Sequence, residues 1–141
     1  MNKNNILTAV EKTFINEENM PADGVISTTK DLAIWDAKLH QGKILKPETY
    51  QLLIHPSVLS EHDTFGTEKH GYGYGIRITK EKGIDYLGHA GLGDGFSSMN
   101  IYIPSKKISL IILENQMSED DKIYYSMEKE IKNLLLEDLK N

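Results

Sequence analysis

No cysteine occurs among the 141 residues. That excludes disulfide bonds, thiol nucleophiles and cysteine metal sites, and it leaves the redox compartment open. Long hydrophobic runs are equally scarce. The longest, Leu110-Ile111-Ile112-Leu113, falls far short of the roughly 20 apolar residues of a membrane-spanning helix. No basic cluster stands out, and Lys+Arg of 16 against Asp+Glu of 21 gives a net charge of -5. Such a balance argues against nucleic acid as a partner. Met1-Asn2-Lys3-Asn4-Asn5 is not followed by the apolar segment of a signal peptide, so the chain as written is expected in the cytoplasm. Repeats and low-complexity tracts are missing too. What remains is an ordinary mixture, 39% hydrophobic and 26% charged, in a length that suits one soluble domain.

Residues 1–22 are polar and weakly patterned, a loose lead-in. A helical part follows over 23–56. Thr28 and Asp31 have capping-box spacing, Leu32, Trp35 and Leu39 share one face, and Gly42 stands where a C-terminal cap belongs. This predicts a helix over residues 30–41. Pro47 and Glu48 suit the first turn of a second helix, which Pro56 stops. Residues 57–70 are aperiodic and read as a surface loop.

The pattern then shifts from period 3.6 to period 2. Residues 71–78 alternate glycine and large side chains, which predicts one strand with Tyr72, Tyr74, Ile76 and Ile78 on a common face. Residues 84–88, 96–103 and 108–114 supply three more strands, joined by turns. Ser118 is placed to cap a last helix over 118–140, with Ile123, Met127, Ile131, Leu134, Leu135 and Leu139 as its apolar stripe. The sum is an α+β fold, a four-stranded antiparallel meander over 71–114 with a C-terminal helix packed on it. The most apolar strand, Ile108–Glu114, ends the meander, and a hydrophobic edge of that kind calls for a covering partner.

Four glycines fall within eight residues at Gly88-His89-Ala90-Gly91-Leu92-Gly93-Asp94-Gly95, between two strands. The arrangement suits close approach of backbone to a ligand, and equally a tight turn.

The order of these segments resembles the C-terminal part of the serine β-lactamase-like family. The segments are Gly24-Val25-Ile26-Ser27-Thr28, Gly42-Lys43-Ile44-Leu45-Lys46-Pro47-Glu48, Gly71-Tyr72-Gly73-Tyr74-Gly75, Gly88-His89-Ala90-Gly91 and Gly95-Phe96-Ser97-Ser98. That family includes class C β-lactamases, D-alanyl-D-alanine carboxypeptidases and esterases. The resemblance implies a sheet domain joined to a helical domain, with the site between them and no cofactor. It also implies a small-molecule or peptide substrate and, for many relatives, export from the cell. His89-Ala90-Gly91 matches the family's third motif. By this resemblance His89 lies in the pocket, the Leu92 amide is an oxyanion-hole donor, and Ala90, Gly91 and Gly93 line the substrate.

The family's other motifs find no counterpart. Ser27-Thr28-Thr29-Lys30 and Ser126-Met127-Glu128-Lys129 fit Ser-x-x-Lys as strings, yet Ser27 belongs to a helix cap and Ser126 to a helix interior. Ser98-Met99-Asn100 fits Ser-x-Asn but follows the third motif rather than preceding it. These readings imply a truncated domain without its own nucleophile, complemented by another chain or self-associating at the edge of Ile108–Glu114. His55, His62, Asp63 and His70 have no compact metal-ligand spacing and read as solvated loop residues.

Overall fold

The computed structural model describes residues 8–9, 17–18, 20–60, 65, 70–93, 95–116 and 125–140. A short helix α1 (Met20–Asp23) precedes α2 (Thr29–His40) and α3 (Pro47–Leu53). The sheet then runs β1 (Val58–Leu59), β2 (Gly71–Tyr72), β3 (Arg77–Glu81), β4 (Ile84–Gly93), β5 (Phe96–Ile103) and β6 (Ile108–Glu114). Helix α4 (Ser126–Asp138) closes the chain. Every strand pairs antiparallel with its successor, in the order β1-β2-β3-β4-β5-β6. The fold is α+β, as expected, with six strands in place of four.

Helix α2 has the expected caps. Thr28 Oγ1 accepts from the Asp31 amide at 3.1 Å and donates to Asp31 Oδ2 at 3.0 Å. At the other end Gly42 takes φ of 72°, and the Gly42 and Lys43 amides donate to the Leu39 and Lys38 carbonyls. This is the Schellman arrangement, which an L side chain at Gly42 would strain. The buried face keeps Leu32 and Leu39 but departs from expectation at Trp35. Trp35 is 51% exposed, and Asp36 takes its place against the sheet beside Leu39.

Two further expectations give way in the segment before β3. Within residues 57–70, Val58–Leu59 forms a short strand on β2. Residues 71–78 are not one strand but a hairpin, with Tyr72 opposite Arg77, the Gly73 amide bonded to the Ile76 carbonyl and Gly75 at φ of 73°. Tyr74 sits at the tip, 71% exposed. Alternating glycines satisfy a period of two, and they equally permit the positive φ that a tight turn needs.

The helices cover opposite faces of the sheet. On one, the Asn100 amide group donates to Asp36 Oδ1 (3.0 Å), and the His40 ring stacks on Tyr102 with centroids 4.1 Å apart. On the other, Leu136 of α4 packs with Phe65, Tyr86, Ala90, Met99, Ile101 and Ile103. Helix α4 buries Glu128, Lys132 and Leu136, with Leu135 and Leu139 against the core. Met127, Ile131 and Leu134 face outward. The stripe is thus turned by one residue, about 100°, from the face that hydropathy marks. The polar residues that replace it are paired: Ser97 donates to Glu128, and Lys132 Nζ lies 2.5 Å from Glu81 Oε2 and 2.6 Å from the Phe65 carbonyl. The helix starts after Tyr125, whose φ is 58°, and Ser118 and Ile123 lie outside the described residues. Strand β6 is half-buried, and its outer edge has no partner strand among the described residues.

Candidate active site

Strand β4 carries the glycine-rich segment, and the strand is longer than the sequence implies. Residues from Leu87 to Gly93 pair one for one with β5, ending at Gly93 opposite Phe96. Beyond Gly93, Gly95 has φ of 82°, and Asp94 lies outside the described residues. Gly88 is required by packing, because a Cβ there would stand 2.1 Å from the Asn100 carbonyl oxygen. On the other side, β3 pairs with β4 only as far as Gly88, opposite Arg77. His89, Ala90, Gly91, Leu92 and Gly93 therefore pair with β5 alone. Among the described residues their other edge has no partner strand, the geometry in which an extended substrate can add as a strand.

His89 stands at the start of that open edge. Its Nδ1 lies 2.7 Å from the Ala90 carbonyl oxygen and its Nε2 lies 2.9 Å from the Tyr72 hydroxyl. The residue is solvent-accessible, yet its ring is flanked by Tyr72, met edge-on with centroids 5.8 Å apart. This crowding lowers the imidazole pKa below its ordinary value, the Arg77 charge lowers it further, and the bond to Ala90 opposes both.

Arg77 is the residue that sequence reasoning missed. It is 5% exposed, and its Nε and Nη1 have no hydrogen-bond partner among the described residues. Its guanidinium lies 5.5 Å from the Tyr72 ring centroid and 6.0 Å from that of Phe65. Burial lowers its pKa, and the Tyr72 and Tyr125 phenols offset part of that. A buried cation held by aromatic faces and left with unmatched N–H groups suits an anion. One signal for it was present: Arg77 interrupts an otherwise apolar run, Ile76-Arg77-Ile78.

Leu92 and Gly93 are exposed beyond His89, Gly91 is partly so, and Ala90 points into the core. The Ser-x-x-Lys strings have structural places. Ser27 Oγ donates to the Thr28 carbonyl (3.4 Å), and Ser126 opens α4. Asn100 of the Ser-x-Asn string is occupied with Asp36. His70 is buried, with Nδ1 2.9 Å from Thr79 Oγ1. His62 and Asp63 lie outside the described residues. Among the described residues no three His, Asp or Glu side chains are grouped to hold a metal ion, and no helix is long and apolar enough to cross a membrane.

The Beta-lactamase family model matches residues 3–128. The chain belongs to the Beta-lactamase family. No curated protein sequence matches the chain. Among solved structures, this Beta-lactamase family chain is similar to D-amino acid amidase from Ochrobactrum anthropi SV3 complexed with L-phenylalanine amide. The TM-score is 0.69 at 21% identity, over 82% of this chain and 33% of that one. Penicillin-binding protein from Bacillus halodurans gives 0.59 at 21% identity, over 76% and 30%. The octameric penicillin-binding protein homologue from Pyrococcus abyssi gives 0.55 at 30% identity, over 64% and 20%. The chain thus spans a third or less of the length of these structures, and what it shares with them is part of a Beta-lactamase-like hydrolase fold.

Proposed function

We propose that this chain forms the third-motif wall of a serine hydrolase site, in which a nucleophile outside residues 1–141 attacks an amide, lactam or ester carbonyl. The observation that carries this reading is the strand His89-Ala90-Gly91, whose second edge has no partner strand among the described residues, next to a buried guanidinium whose Nε and Nη1 have no hydrogen-bond partner among them. An extended substrate would lie along that edge with its carbonyl oxygen at the Leu92 amide, where a preorganised N–H stabilises the tetrahedral intermediate. Gly91 and Gly93 keep the approach clear of side chains. His89 would orient the substrate or assist proton transfer, and Arg77 favours a substrate that carries a carboxylate.

Ser27 Oγ is bonded to the Thr28 carbonyl beside the cap of α2, and Ser126 opens α4, so neither is assigned as the nucleophile. Labelling with a fluorescent penicillin or a fluorophosphonate tests this directly. The chain alone is expected to remain unlabelled. Joined to, or mixed with, the polypeptide that bears a Ser-x-x-Lys helix, the assembly is expected to label on that serine. Label on Ser27 would overturn the reading.

A second reading is favoured by β6, whose outer edge has no strand beside it among the described residues. In it the chain is a non-catalytic binding or assembly module, or one half of a split hydrolase, that pairs through this edge. Activity appearing when a complementing chain is added supports the split enzyme. A stable complex without labelling supports the module.

A further inference from the structure

Both nitrogens of His89 are engaged, and the chemistry of the partners decides which one holds the proton. The Ala90 carbonyl can only accept, so Nδ1 must carry hydrogen. A neutral imidazole then has a bare Nε2, and the hydroxyl of Tyr72, 2.9 Å away, must donate to it. His89 therefore has no nitrogen left for a substrate. The open polar atom of the pair is the phenol oxygen, which has donated its proton and still has lone pairs to accept another.

The position of Tyr72 is set by three neighbours. Its backbone pairs with Val58 on one side and Arg77 on the other. The hairpin it belongs to is pinned by α3, since the Tyr74 amide donates to the Leu53 carbonyl at 3.1 Å. No room exists at Gly73 for a side chain, where a Cβ would meet that same carbonyl oxygen at 2.2 Å. The ring itself lies against the Arg77 guanidinium. Because β3 stops pairing with β4 at Gly88, nothing in the sheet separates the phenol from the ring of His89.

We propose that Tyr72 is the residue of this wall that handles the proton, with His89 as the positioning residue behind it. The inference rests on the hydrolase reading above and changes which atom meets the substrate. A substrate-side or nucleophile O–H hydrogen-bonded to the phenol oxygen passes its proton there as the Tyr72 proton crosses to His89 Nε2. The phenol stays neutral, the imidazole becomes imidazolium, and its Nδ1–H stays on Ala90. Among the described residues the charge that bears on His89 is Arg77 on β3; Asn100, opposite His89 on β5, is bonded to Asp36 on α2. Arg77 makes the imidazolium short-lived, so the proton returns along the same path to the leaving group.

Nitrogen-15 NMR of the histidines in the full chain tests the pair without needing activity. The expected result is the Nδ1–H tautomer for His89, kept in Tyr72→Phe because the Ala90 carbonyl still fixes it, but with a higher pKa once the phenol no longer donates to Nε2. An Nε2–H tautomer, or a His89 titration indifferent to Tyr72→Phe, would overturn the proposal. In the catalytically complete assembly, Tyr72→Phe is expected to lower kcat about 10²-fold with KM little changed. His89→Gln, whose amide oxygen can still accept from the phenol, should retain more activity than His89→Ala. A complete assembly that labels equally well with Tyr72→Phe sinks this inference alone. An assembly that never labels, with the His89 tautomer as described, sinks the hydrolase reading instead.

Discussion

His89 is held by one hydrogen bond to a carbonyl and one from a phenol, and it stands near one buried cation. Crowding and the Arg77 charge both disfavour the imidazolium, and the fold also lowers the pKa of His40, chiefly through burial with Asp36 opposing. A histidine whose folded pKa lies below its ordinary value of 6.5 stays neutral in the fold but takes up protons when unfolded. Stability from both residues is therefore present above about pH 6.5 and lost as pH falls through the lowered values. Thermal unfolding between pH 7.5 and 5 should show a falling Tm, with a shallower slope in His89→Gln. The glycines beside His89 differ in what they tolerate. Gly88→Ala drives a methyl into the Asn100 carbonyl and should cost about 3 kcal/mol in urea unfolding. Gly91→Ala meets only the Ser98 hydroxyl, at 2.8 Å, which can rotate away. It should cost about 1 kcal/mol at most, yet in a catalytically complete assembly it should weaken acylation by crowding the open edge.

At the scale of elements, α4 and the sheet are joined through charged groups as much as apolar ones. Lys132 is almost fully buried against Glu81, which also accepts from the Tyr86 hydroxyl at 2.9 Å. Removing one partner of such a pair leaves the other buried without compensation. Lys132→Met is expected to cost about 3 kcal/mol, and adding Glu81→Gln should recover part of that loss, as a double-mutant cycle in urea would measure. At the other end of α4, Glu114 is raised above its ordinary 4.5, first by burial and then by the Glu128 carboxyl, with which it shares a hydrogen bond. A raised carboxyl binds its proton more tightly when folded. Its stabilising contribution is full below about pH 4.5 and lost as pH rises through the folded value. Glu114→Gln keeps the hydrogen bond without the charge and should raise Tm at neutral pH, a gain that solvent screening keeps small. These polar pairs explain why hydropathy misplaced the helix faces. Trp35 and Met127 look like core residues, but Asp36 and Glu128 find sheet partners in Asn100 and Ser97 and take the inner side.

At the scale of the whole molecule, the sheet is covered by α2 on one face and α4 on the other, and the outer edge of β6 has no partner strand among the described residues. Leu113 on that edge is 40% exposed. If this edge pairs with another chain or a second copy, light scattering should find species larger than the monomer. Leu113→Lys should shift them toward it, since a charge on an edge strand blocks pairing. A monomer at all concentrations would remove the edge as a partner site. The sequence alone determined the elements with local causes: the capped helix α2, whose Thr28–Asp31 bond and Gly42 turn depend on neighbours in sequence, and the strands β5 and β6 with the turn that joins them. It also held the His89-Ala90-Gly91 motif by which the family is recognised. The tertiary structure decided what depends on partners distant in sequence. It put Asp36 rather than Trp35 on the inner side of α2, turned α4 toward Glu128 and Lys132, and folded residues 71–78 back on themselves to bring Tyr72 and Arg77 to His89. Periodicity records which side chains prefer burial. Only the assembled sheet supplies the hydrogen bonds that let polar ones be buried instead.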